Sequence, residues 1–124
     1  MNIKFFKCEH CGNIITFVEN KGVPVMCCGQ KMTELVPSST DAATEKHVPV
    51  VDKKGNEVFV KVGSVQHPML EEHYIQWIAV ATENGVQIKY LKPGTSPEAV
   101  FVLAEGEKIV DVFEYCNLHG LWKA

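Results

Sequence analysis

Four cysteines crowded into the first 28 residues, in the clusters "CEHCG" and "CCG", constrain this 124-residue chain more than any other feature it has. The stretch that holds them, residues 1–36, carries only a thin apolar set, chiefly Ile3, Phe5, Phe6, Ile14, Ile15 and Phe17. A unit this small rarely folds on its core alone and usually needs a metal or cross-links. As thiolates, Cys8, Cys11, Cys27 and Cys28 can close a tetrahedron around one ion. Four-sulfur geometry suits zinc and iron equally, so the residue types leave that choice open. Gly12 and Gly29 follow the two clusters and supply the permissive backbone that a tight curl around an ion requires. Cys27 and Cys28 are adjacent, and adjacent side chains of an extended strand point to opposite faces; both reach one ion only if the backbone wraps around it. His10, between Cys8 and Cys11, reads as a solvent-facing spacer, since four sulfurs already fill the shell.

A disulfide framework is the weaker use of these thiols. The opening "MNIKFFKCEHC" contains no long apolar run, so neither a secretory signal nor a membrane span is expected there, and the chain reads as cytoplasmic. That compartment keeps thiols reduced. All twelve basic residues are lysine, set against fifteen acids for a formal charge of −3. Nucleic-acid binders rely on arginine forks and a basic excess, so neither nucleic acid nor membrane is an expected partner. A single well-placed lysine can still steer a small anion.

The polar stretch "VPSSTDAAT", residues 36–44, is the candidate linker. From Glu45 onward, β-branched and aromatic runs alternate with turn signals: "KKGN" between "HVPVVD" and "EVFVKVG", "NG" between "YIQWIAVATE" and "VQIKYLK", "EGE" between "AVFVLA" and "KIVDVFEY". Val58, Val60 and Val62 fall on one face of their strand and Lys61 on the other, the period of a half-buried strand. No amphipathic helix of ten residues or more is evident. The expected fold is mainly β: a small metal-binding N-terminal domain over residues 1–36, then an antiparallel β-sandwich over residues 37–124.

That second segment holds its own constellation: His47, His67, His73, Cys116 and His119, in "TEKHVP", "QHPMLEEH" and "CNLHG", at strand edges or in turns where functional residues concentrate. Any one of these histidines alone reads as an ordinary surface or hydrogen-bonded side chain. Four neutral imidazoles and one thiolate around Fe(II) leave a net charge of plus one and an open sixth position, which attracts an anion. The set departs from the two-histidine, one-carboxylate triad of Fe(II) oxygenases. A rubredoxin-like electron-transfer protein or a structural zinc protein would account for the cysteine clusters and leave this second constellation unused.

Taken together, "CEHC", "CCG", "TEKH", "HPMLEEH" and "CNLHG", in that order over nearly the whole chain, resemble the desulfoferrodoxins, the two-iron superoxide reductase family. The resemblance implies a desulforedoxin-like domain that binds iron through Cys8, Cys11, Cys27 and Cys28. It implies an immunoglobulin-like β-sandwich holding a second iron in a square pyramid, with His47, His67, His73 and His119 equatorial and Cys116 axial. The reaction implied is reduction of superoxide by one electron and two protons to hydrogen peroxide. On the same pattern Lys46 attracts the anion and holds a proton-donating water, and Glu45 becomes the sixth ligand of ferric iron. A small donor protein such as rubredoxin and a homodimeric assembly complete what the family implies.

Overall fold

The fold is that of a computed structural model describing residues 2–38 and 44–124; of the candidate linker, positions 39–43 lie outside the described residues. The chain divides into two compact units, Met1–Val36 and Pro37–Ala124.

In the first unit, β1 (Phe5–Lys7) is the middle strand of an antiparallel sheet, flanked by β2 (Ile14–Thr16) and, later in the chain, by Thr33–Leu35. Between these lie β3 (Met26–Cys27) and β4 (Gln30–Lys31), paired as a hairpin, which makes Thr33–Leu35 strand β5. Its buried residues are few, Phe5, Cys8 and Met32, with Phe6 and Phe17 meeting edge to face at 5.2 Å. The turn of the β3–β4 hairpin consists of Cys28 and Gly29, with φ of +52° and +73°. Two residues with positive φ between paired strands make a type I′ turn, which ordinarily takes Asn-Gly. Cysteine in the left-handed region is strained by about 1–3 kcal/mol. This is the backbone wrap that two adjacent sulfur ligands demand.

The second unit opens with α1 (Thr44–His47), the longest helix among the described residues, followed by seven strands: β6 (Pro49–Lys54), β7 (Glu57–Val62), β8 (Ile75–Thr82), β9 (Val86–Tyr90), β10 (Glu98–Val102), β11 (Ile109–Cys116) and β12 (Gly120–Lys123). They form two antiparallel sheets, ordered β10-β7-β6 and β12-β11-β8-β9. This three-plus-four arrangement has the strand count of an immunoglobulin constant-type sandwich. Val58, Val60 and Val62 are buried while Glu57, Phe59 and Lys61 face out, following the period of two. They meet Ile75, Ile78, Val80, Phe101 and Val112 in one core. The "KKGN" and "NG" signals lie in hairpins, β6–β7 and β8–β9. The "EGE" signal lies elsewhere: β10 pairs with β7 and β11 with β8, so this short turn carries the chain from one layer to the other. Glu107 holds that turn, its carboxylate accepting from the Ala104 amide at 3.0 Å and from the Thr82 hydroxyl.

Candidate metal centres

In the first unit the sulfurs of Cys8, Cys11, Cys27 and Cys28 lie within 4.8 Å of one another, and those of Cys11 and Cys27 are 3.7 Å apart. Sulfurs at the vertices of a tetrahedral site, each about 2.3 Å from its ion, stand about 3.8 Å apart. The thiols thus have the spacing of a tetrahedral metal shell. The Cys11 amide donates to Cys8 Sγ at 3.4 Å and pulls that thiol down to about 6. The other end of the scale is Cys28, pushed up to about 12 by hydrogen bonding with Cys11 and Cys8, and Cys27 is raised chiefly by its bond to Cys8. One low thiol and two high ones share protons that a cation displaces. Metal uptake at pH 7 should therefore release the protons of Cys27 and Cys28 into solution, and affinity should fall as pH falls. Titration of the metal-free protein with Zn(II) in weak buffer, with a pH indicator, checks this. Uptake without proton release would contradict the assignment of these thiols as ligands.

The second constellation assembles at one end of the sandwich. His47 closes α1 immediately before β6; His67 and His73 lie on the β7–β8 connection; Cys116 ends β11; His119 lies in the turn before β12. That turn has three residues, Asn117–His119, followed by Gly120 at φ +81°, the form that ends in a left-handed glycine. It brings Cys116 Sγ to 3.8 Å from His119 Nδ1. The α1 segment is seated on Gly63: a Cβ there would stand 2.6 Å from the carbonyl oxygen of Glu45 and 3.0 Å from that of Val48. Both neighbours are backbone, so any side chain at 63 displaces the segment that presents His47. The Val65 amide fixes the same segment by donating to the Glu45 carbonyl at 2.8 Å.

The four imidazoles stand at the corners of a quadrilateral. Ring centroids are 4.8 Å apart for His47–His67, 4.7 Å for His67–His73, 5.0 Å for His73–His119 and 4.8 Å for His47–His119. One donor atom each from His47, His67, Cys116 and His119 lies within 4.8 Å of the others, and the His73 ring occupies the fourth corner. His47, His67 and Cys116 are buried, whereas His119 is exposed. Burial holds His67 and His73 below the ordinary histidine range, and the positive charge of Lys46 acts in the same direction. Those two imidazoles are accordingly neutral donors at pH 7. Nε2 of His67 and of His73 is buried with no hydrogen-bond partner among the described residues, the condition of a nitrogen that awaits a cation. Iron fits this imidazole–thiol set, and the four-thiol set likewise.

Three residues around the histidines escaped the motif reading. Glu114, fully buried, sits with its Oε2 3.6 Å from His47 Nδ1, and burial pushes its carboxyl up to about 9. It pairs opposite Ile78, so Val112, Glu114 and Cys116 alternate onto the inner face of β11. That alternation was a usable signal: a carboxylate two residues before the thiol shares its side of the strand. Trp122 stacks on His47 at 4.6 Å and donates its indole N–H to the His119 carbonyl at 3.1 Å. Asn117 bonds to the loop that carries His73. Glu45 and Lys46, singled out from their place beside His47, are both exposed.

Fold and sites define a β-sandwich metalloprotein with one four-thiolate centre and one imidazole–thiolate centre. The desulfoferrodoxin family matches residues 39–124, and the desulfoferrodoxin N-terminal domain matches residues 2–35. The desulfoferrodoxin homolog of Archaeoglobus fulgidus is 46% identical over 98% of this chain and 96% of its own length. The desulfoferrodoxin of Nitratidesulfovibrio vulgaris is also 46% identical, over 98% of this chain and 94% of its own. The crystal structure of the superoxide reductase from Treponema pallidum superimposes with a TM-score of 0.83 at 36% identity, covering 99% of this chain and 97% of that one. The chain belongs to the desulfoferrodoxin family.

Proposed function

We propose that this protein is a superoxide reductase. The observation that carries the reading is the square of imidazoles with the buried Cys116 thiol beside it, at one end of a sandwich shared with structures of that activity. His47, His67, His73, His119 and Cys116 would hold an iron ion, which would supply the one-electron chemistry by which superoxide, with two protons, becomes hydrogen peroxide. Burial raises the Cys116 thiol, so its ionisation depends on the bound cation, and the site should lose affinity as pH falls. Glu114 faces Nδ1 of His47, the arrangement in which a carboxylate orients a ligand imidazole.

Lys46 draws the anionic substrate in and orients the water that donates a proton; its exposure and its effect on His67 and His73 support that role. Glu45 would offer a carboxylate to the bound ion in its oxidised state, where the higher charge favours an oxygen donor. Residues 1–36 form the iron domain that relays electrons, and residues 37–124 the domain in which superoxide is reduced. A small redox protein such as rubredoxin supplies the electron, and the protein works as a homodimer in the cytoplasm; the family resemblance supports these three statements. No helix among the described residues is long and apolar enough to cross a membrane.

Mixing the reduced, iron-loaded protein with superoxide tests the reading. One peroxide should form for each histidine-site iron oxidised, without dioxygen evolution. Dioxygen in equal amount to peroxide would identify a dismutase instead. In the same experiment Glu45→Ala should leave the first encounter nearly unchanged, alter the spectrum of the oxidised site and let azide bind more readily. A variant matching the wild type in spectrum and azide affinity would leave Glu45 as a surface charge.

A further inference from the structure

Asn117 follows Cys116 and makes three hydrogen bonds to a loop more than forty positions earlier in the chain. Its amide donates to the Tyr74 carbonyl at 3.2 Å, its Oδ1 accepts from the Tyr74 amide at 2.9 Å, and its Nδ2 donates to the Glu72 carbonyl at 3.1 Å. Glu72 and Tyr74 are the two chain neighbours of His73. The turn that presents this histidine closes on itself, Leu70 and His73 exchanging amide-to-carbonyl bonds of 2.9 and 3.1 Å. Self-closure sets the shape of a turn and leaves its position to other contacts. At the near end the Gly94 amide donates to the Met69 carbonyl at 2.8 Å. At the far end the chain enters β8, where Ile75 pairs with Cys116, and the Asn117 clamp carries that attachment back to Tyr74 and Glu72, on either side of the histidine. His67 differs, because its ring is oriented directly by a 2.6 Å bond between Nδ1 and the Pro68 carbonyl.

We infer that Asn117 is the positioning residue for His73, its backbone and side-chain amides gripping Glu72 and Tyr74 so that the imidazole between them is held at the fourth corner of the histidine square. The inference rests on the reading of His73 as a metal ligand. One residue then couples the two loops that deliver Cys116 and His119 on one side and His73 on the other. Displacing the clamp moves His73 relative to the other donors while leaving the sandwich core untouched.

The test uses full-length, iron-loaded protein carrying Asn117→Ala or Asn117→Asp, each alone and combined with His73→Ala. Iron retention at the histidine site is measured by chelator competition, and the ferric form by electron paramagnetic resonance with the four-thiolate iron as internal reference. Removing an outer partner of a ligand typically lowers metal affinity about 10–100-fold, and Asn117→Ala should fall in that range with an altered ferric signal. Asn117→Asp keeps the acceptor for Tyr74 and loses the donor to Glu72, so it should fall between wild type and alanine. In the His73→Ala background either change should add less than about twofold, because the group it positions is gone. Wild-type affinity and signal in Asn117→Asp would overturn the inference, even if the alanine variant failed to fold. An undiminished effect in the His73→Ala background would do the same by revealing a general folding role. Wild-type iron retention and an unchanged ferric signal in His73→Ala alone would remove His73 from the ligand set, and the inference would fall with it.

Discussion

Lys46→Ala should slow the bimolecular reaction of the reduced protein with superoxide by about tenfold or more, the range over which local fields alter association rates of charged ligands. The reason lies in where the charge acts. Lys46 precedes His47 on α1, is exposed, and its field already disfavours protonation of His67 and His73, so it reaches the ground that an incoming anion must cross. The chain as a whole is acidic, at −3, and offers superoxide no general attraction. Steering must therefore be local. The wild-type rate should fall with added salt as the screening length shortens from about 10 Å at 0.1 M towards 3 Å at 1 M, and the variant should show a flatter dependence. Lys46→Arg should retain most of the rate, since it retains the charge. Stopped-flow or pulse-radiolysis measurements over a salt series decide the matter; an unchanged, salt-independent rate in the alanine variant would remove Lys46 from the mechanism.

Cys28→Ser should strip or rearrange the four-thiolate centre while leaving the reaction of the reduced histidine site with superoxide within about twofold of wild type, the spread expected for independent sites. The ligand sets have no residue in common, and each belongs to its own compact unit. The loss at the first centre should be large because Cys28 carries two burdens. It is one of four sulfurs, and it holds a left-handed turn position that favours glycine or asparagine. Serine inherits the strain without the sulfur. Metal analysis and the visible spectrum report the first centre, and single-turnover oxidation by superoxide with an artificial reductant reports the second. Loss of the superoxide reaction would show that the two centres do not divide the work as proposed.

Much of this architecture was legible along the chain, and for a physical reason. Both metal centres draw on donor types with few other uses at such density, and "CEHC", "CCG", "HPMLEEH" and "CNLHG" each place two donors within six positions of one another. Turn geometry is local, so glycines 12 and 29 could be read as the points where the chain curls, and both have positive φ. The alternation of Val58, Val60 and Val62 named a strand and its inward face. Layer assignment was another matter. "EGE" has the look of a hairpin turn, yet β10 and β11 join different sheets, because a sheet edge is chosen by the apolar faces that meet in the core.

The partners of the ligands were likewise decided in three dimensions. Glu114 beside His47, Trp122 stacked upon it, and Asn117 holding the neighbours of His73 are contacts across tens of residues of chain. Local pattern marks donors because coordination chemistry restricts which side chains can serve. Apart from the alternation that puts Glu114 on the side of Cys116, it does not mark the groups that aim those donors, because almost any polar or aromatic side chain can serve once the fold has brought it within reach. The sequence by itself determined which atoms can bind metal and where the chain turns to present them. Only the packing of the two sheets decided that four imidazoles and a thiol from distant segments converge at one end of the sandwich, because the positions of those segments follow from strand register and the burial of the inner faces.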